Sequence, residues 1–128
     1  MDLKVLLMDN KQENILLFNN PKTELLHPIE GCIFTNEMPF VATKRILKTD
    51  FGLEPEQFDI HFVRHETVIK ASSVATNDYI VLVVLREEYE FPTTYTWTPI
   101  TDNRIIYNTD GFGKMYTYLQ EGIRLLCK

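Results

Sequence analysis

Cysteine is scarce: Cys32 and Cys127 are the two in 128 residues, far apart, with no second Cys or His at zinc-ligand spacing. Neither a disulfide scaffold nor a structural zinc site is indicated, and a reducing cytoplasm is the compartment that fits. Basic charge is also in short supply. Thirteen Lys and Arg against eighteen Asp and Glu give a net charge of -5 and a pI near 5.1. Tight binding to nucleic acid, which draws its affinity from Lys and Arg on phosphates, is therefore not expected. Long apolar runs are missing too: no stretch reaches the roughly 18 residues that span a bilayer. The opening MDLKVLLMDNKQ has no basic region followed by a small-residue cleavage site. The expected protein is soluble, with no membrane partner.

What is present reads as one globular domain over residues 1–128, with enough apolar residues (45%) for a core. Leu3 to Met8 and Ile15 to Phe18 are aliphatic runs separated by the turn-rich segment 9–14, which predicts a hairpin. Pro28 and Gly31 punctuate the next segment, and Cys32 to Phe34 has the character of a short strand, with Cys32 expected to be small and buried. Thr35, Asn36 and Glu37 offer capping chemistry before a helix from about Met38 to Asp50, with Pro39 in its first turn and Gly52 just past its end. Phe58 to Val63 predicts a strand, and the uniformly apolar Tyr79 to Leu85 predicts one buried on both faces at the centre of a sheet. A further strand is expected around Tyr95 to Thr98. The spacing of Phe112, Met115, Tyr116, Leu119, Ile123 and Leu126 predicts a closing amphipathic helix. Together these make a mixed α/β (α+β) domain with helices on both sides of a sheet.

The run GCIFTNEMPFVATKRILKTDFGL places Gly31, Glu37, Arg45, Gly52 and Leu53 at fixed spacing. This frame resembles the box of the Nudix hydrolase superfamily, G-x5-E-x7-R-E-U-x-E-E-x-G-U with U aliphatic. The opening hairpin, the 52–58 exit and the 97–102 segment extend the resemblance over the chain. The implied fold is a twisted mixed sheet sandwiched between helices, with the cleft at the box loop and helix.

The frame is intact but its acids are not. Positions 46, 49 and 50, acidic in the family, are Ile46, Thr49 and Asp50. Residues i, i+3 and i+4 share a helix face, and a hard divalent ion needs oxygens converging from it. In the family such acids hold Mg²⁺ or Mn²⁺ against a diphosphate. The resemblance implies a weakened metal site made from Asp50, the carbonyl near Gly31, and Glu37, with Arg45 pairing structurally with Glu37. The branch that hydrolyses GDP-mannose at the sugar carbon also keeps only the last of these acids, the position of Asp50.

Other groups enter as candidates beside plainer readings. Glu87 and Glu88, with Glu90, follow the central strand, where the family often places an extra ligand or base; a charge run at a strand end is otherwise a solvated surface. His65 is a candidate base, and shares a side with His61 only if that strand is regular. Arg64 and Lys48, with Lys70, are candidates to neutralise phosphates, although isolated basic residues usually belong to the surface. Tyr89, Phe91, Tyr95 and Trp97 form a dense aromatic group on which a base could stack, with core packing the expectation for Trp97.

Two functions follow. One is a divergent hydrolase of a small nucleoside diphosphate derivative, nucleotide or nucleotide-sugar, using Mg²⁺ or Mn²⁺. The other is a domain without hydrolysis that binds a nucleotide or a protein partner, a second copy of the chain included.

Overall fold

Strand β1 (Asp2–Met8) lies between two neighbours of opposite direction, and this sets the plan of the molecule. The computed structural model describes residues 2–19, 22, 26–69, 75–102, 105 and 114–126. On one side β1 runs parallel to β6 (Ala75–Leu85), from Asp2↔Asp78 to Met8↔Val84. On its other side β4 (Ile29–Cys32) pairs antiparallel with the first half of β1, and β2 (Asn14–Asn19) meets its end at Met8↔Ile15. β2 also pairs with β3 (Leu26–His27) and β7 (Tyr95–Pro99), while β5 (Phe58–Ile69) closes the far edge against β6. The result is a seven-stranded sheet, mixed as expected from the sequence.

Alternation divides the core into two layers. Leu3, Val5, Leu7, Leu16, Val81, Val83 and Leu85 face one helix, α1 (Pro39–Phe51). Leu6, Met8, Ile15, Leu17, Ile80, Leu82 and Val84 face the other, α2 (Lys114–Leu126), through Tyr118 and Leu119. Both outer neighbours of β6 are present and its residues 80–85 are buried, which explains an apolar run without polar alternation. Phe112, the first residue of the anticipated last helix, lies outside the described residues.

Helix α1 buries Ala42, Thr43, Ile46 and Leu47, and Thr43 Oγ1 donates to the Pro39 carbonyl at 2.8 Å. Pro39 sits at the start, where its missing N–H is not needed. Gly52 ends the helix in the left-handed region at φ 71°, and its N–H reaches back to the Lys48 carbonyl at 2.9 Å.

Several local expectations are corrected. The N-cap is Met38 and no side chain caps it, because Glu37 turns back toward the loop. The strand before the box is Ile29–Cys32, so Ile33 and Phe34 lie beyond it. Cys32 is exposed rather than buried. β5 continues to Ile69, six residues past the anticipated Val63, through an irregularity between Phe62 and Arg64 where pairing shifts from Val81 to Ile80. That bulge adds a residue, so His61 faces α2 beside Leu82 while His65 faces α1 beside Tyr79.

Candidate functional site

The box loop is fastened by one residue pair. Glu37 Oε1 accepts the Phe34 N–H at 3.0 Å, while Arg45 donates Nε to Oε2 at 2.9 Å and Nη2 to Oε1 at 3.0 Å. Arg45 Nη2 also reaches the Cys32 carbonyl at 2.6 Å, and its guanidinium carbon lies 3.8 Å above the Phe34 ring. This fork geometry suits Arg and not Lys. Hydrogen bonds from Arg45, then from the Phe34 backbone, hold the Glu37 carboxyl below the usual glutamate range. With both oxygens accepting hydrogen bonds, Glu37 joins the box loop to α1 as a clamp.

One residue further along, Ile46 is buried at 4% exposure and packs onto Gly31. A methyl group added to Gly31 would lie 2.4 Å from Ile46 Cδ1 and 3.1 Å from Cγ1. The box glycine is thus closed over by a hydrocarbon side chain. Thr49 and Asp50 are exposed, and Thr49 carries no charge. Among the described residues no group of three or more His, Cys, Asp or Glu side chains is arranged to hold a metal ion. The donor set at Gly31, Glu37 and Asp50 does not fit the divalent ion that the box frame implies.

The other candidates are dispersed. Arg64 lies on the α2 face, near Glu121 at 3.4 Å and Glu66 at 3.8 Å, so it cannot face a ligand at α1. Lys48 is paired with Glu54 on the exposed side of the helix exit. His65 stacks on Tyr79 with ring centroids 4.4 Å apart, and its Nε2 lies 3.0 Å from Asn77 Oδ1. The register Gly31↔Leu3↔Tyr79↔His65 puts three strand spacings, about 14 Å, between His65 and the box glycine. Glu87 and Glu88 line an open cleft of about 580 Å³ with Asp9, Glu13, Tyr89, Glu90 and Trp97, and Glu87 meets Gln57 at 3.4 Å. Neither Gly31 nor Asp50 lines that cleft. Tyr89 donates its hydroxyl to the Phe51 carbonyl at the end of α1, which anchors the loop that follows β6. Lys70 lies outside the described residues.

A shallow, open depression of about 340 Å³ lies near the box and is lined by Phe18, His27, Pro28, Glu30 and Tyr95. The pairs Phe18↔His27 and Phe18↔Tyr95 bring three rings together on β3, β2 and β7, with centroids 6.5 and 5.8 Å apart and ring planes tilted by 43° and 53°. From Tyr95 the rings continue through Phe51 at 5.3 Å, Phe91 at 5.2 Å and Trp97 at 5.6 Å, so the aromatic group packs against the α1 core layer as expected for Trp97. Burial, then the charge of Asp50, holds the Tyr95 hydroxyl above the usual phenol range. Phe18 and His27 escaped the sequence reading because nothing local pairs them. Alternation with buried Leu16 does place Phe18 on the α1 side of β2.

Solved structures align with this arrangement over nearly the whole chain. The chain has the Nudix fold. A Caenorhabditis elegans Ap4A hydrolase superposes with a TM-score of 0.72 at 18% identity, covering 98% of this chain and 96% of that one. An E. coli dihydroneopterin triphosphate pyrophosphohydrolase gives 0.74 at 13%, covering 97% and 94%. The Nudix domain of Shewanella oneidensis NrtR, solved with ADP ribose, gives 0.64 at 13%, covering 98% and 86%. No family model matches the sequence, and no curated protein matches it. At these identities the Nudix likeness is one of fold. No described helix is long and apolar enough to cross a membrane.

Proposed function

We propose that this domain binds a small nucleoside-type ligand, with its base against one of the clustered rings His27, Phe18 and Tyr95, and does so without box-centred hydrolysis. The observation that carries this reading is the cluster of three tilted rings beside a box whose glycine is covered by Ile46. A flat base on aromatic faces gains stacking and buries apolar area without needing an ion. Side-chain chemistry supports the absence of box-centred hydrolysis. Ile46 can neither bind a cation nor take a proton from water, and Thr49 supplies only a neutral hydroxyl.

A second reading keeps the enzyme. It rests on Asp50, which is exposed at the helix end and whose charge is felt by Tyr95, and on the carboxylates Glu87 and Glu88 after β6. In that case a nucleoside diphosphate or nucleotide-sugar would be cleaved with Mg²⁺ or Mn²⁺.

One experiment separates them. Nucleosides, nucleoside diphosphates and nucleotide-sugars are titrated calorimetrically with Mg²⁺ or with EDTA, and the same mixtures are assayed for released phosphate and sugar. Binding indifferent to EDTA, weakened in Tyr95→Leu, with no product formed, is the expected result. Metal-dependent turnover that disappears in Asp50→Ala replaces this reading with the hydrolase.

A further inference from the structure

Helix α1 starts with residues that do little for a free helix end. Its N-cap is Met38, where Ser, Thr, Asp or Asn would supply an oxygen, and its first turn holds no acid to meet the positive end of the helix. Pro39, Phe40 and Val41 stand there instead. Met38, Phe40 and Val41 are exposed, so packing within the chain does not account for them. Phe34 is brought to the same end by the turn in which the Glu37 N–H donates to its carbonyl at 3.0 Å, and Arg45 lies over its ring.

Four of the six large apolar side chains exposed among the described residues thus gather at one end of one helix. At 44% to 68% exposure they offer on the order of 500 Å² of surface. A standard interface covers about 800 Å² of each partner, about 60% of it apolar, so the patch has the size of one side's apolar core. Beside it lies a depression of about 270 Å³ lined by Phe40, Lys44, Pro55, Phe58, Asp59 and Ile60.

Charge decides which partner suits this face. Near a two-fold axis each residue meets its own copy, and an acid that helped the helix would there repel its twin. A different protein makes no such demand, because it can set opposite charge against charge. None of the four positions is charged, and the two charged residues of the depression, Lys44 and Asp59, are opposite in sign. From these observations we infer that the face at the start of α1 is a two-fold interface between two copies of the chain, with Met38, Phe40 and Val41 of one copy packed against the same residues of the other. The depression beside Phe40 then receives an apolar side chain from the opposite copy, and Lys44 and Asp59 remain at a rim that is neutral in sum.

Sedimentation equilibrium on the whole chain reads the state directly. The mass should rise with concentration from 15.0 kDa toward twice that value, with association in the micromolar range. Met38→Asp is the decisive variant, because it gives the helix a favoured cap residue while it puts a carboxylate into the apolar face. Met38→Asp and Val41→Asp should each weaken association at least about tenfold, since symmetry brings each new charge into the interface twice. The unfolding temperature of Met38→Asp, taken at a dilution where the wild type is monomeric, should match or exceed that of the wild type, which separates association from folding. Ile69→Asp alters an exposed apolar residue at the other end of β5 from Phe58 and should leave the mass unchanged. A mass of one chain at every concentration overturns the inference. Association undiminished in both Met38→Asp and Val41→Asp, or weakened equally by Ile69→Asp, also overturns it, because the contact then lies on another surface.

Discussion

Arg45 and Ile46 are consecutive residues on α1, and they serve opposite ends. The turn that carries Arg45 keeps a polar device complete: both Glu37 oxygens, the Phe34 N–H and the Cys32 carbonyl are satisfied by one another. At Ile46 the frame's acid has become core, packed on Gly31. A hydrogen-bonded loop clamp stabilises the fold whether or not chemistry occurs nearby. A cluster of ligating acids costs stability through mutual repulsion unless an ion holds it together. In a domain that used no ion, the clamp would stay useful while ligating acids would only cost stability, which a buried isoleucine avoids.

The strongest way to break this comparison is Ile46→Glu. If residue 46 is core, the new carboxylate is buried without a partner, and denaturant unfolding should show a loss of about 3–5 kcal/mol. A loss below about 1 kcal/mol would mean that the position opens to solvent, and the contrast between the two residues would dissolve. Mn²⁺ should not restore the lost stability, because Thr49 and Asp50 alone do not complete a shell.

A smaller effect is expected at the clamp. Arg45→Met keeps much of the packing but strips Glu37 of its partner, and thermal unfolding at neutral pH should fall by a few degrees. Its pH dependence gives a sharper reading. Glu37 titrates below its ordinary range when folded, so its contribution is present above the unfolded value and is lost as pH falls through the folded one. The difference between wild type and Arg45→Met should therefore be full at neutral pH and close on acidification below about pH 4.5. A difference that persists undiminished at pH 2 would assign the clamp's effect to packing of Arg45 on Phe34 instead.

The smallest change is expected from Asp50→Asn. Asp50 is exposed, so stability should stay within about 0.5 kcal/mol of wild type. A larger loss would make the residue at position 50 part of the scaffold rather than of the exposed helix end.

Much of the fold was legible where local chemistry and long-range packing agree. β6 showed as an unbroken apolar run because it is covered on both faces, and the end of α1 showed as Gly52 because only a left-handed cap fits there. The pairing of Glu37 with Arg45 was expected from the Nudix resemblance, and the structure joins them directly. Other features depend on register. A bulge cannot be read from residue types in β5, yet it decides that His61 and His65 part company and that Arg64 faces α2. The ring cluster escaped for the same reason: β3 is two residues long, and only its pairing with β2 brings His27 beside Phe18.

The irregularity in β5 reaches beyond the histidines. Among the described strands β5 lies at the edge, twelve residues long with Phe62 at 42% and Ile69 at 75% exposure, and a flat edge of that length is a template on which a stray chain can add itself. The extra residue between Phe62 and Arg64 bends the strand and breaks the even spacing of its outward N–H and C=O groups. A foreign strand that zips onto the Phe58 end therefore loses step at Arg64, and the edge hinders runaway growth of the sheet from one molecule to the next.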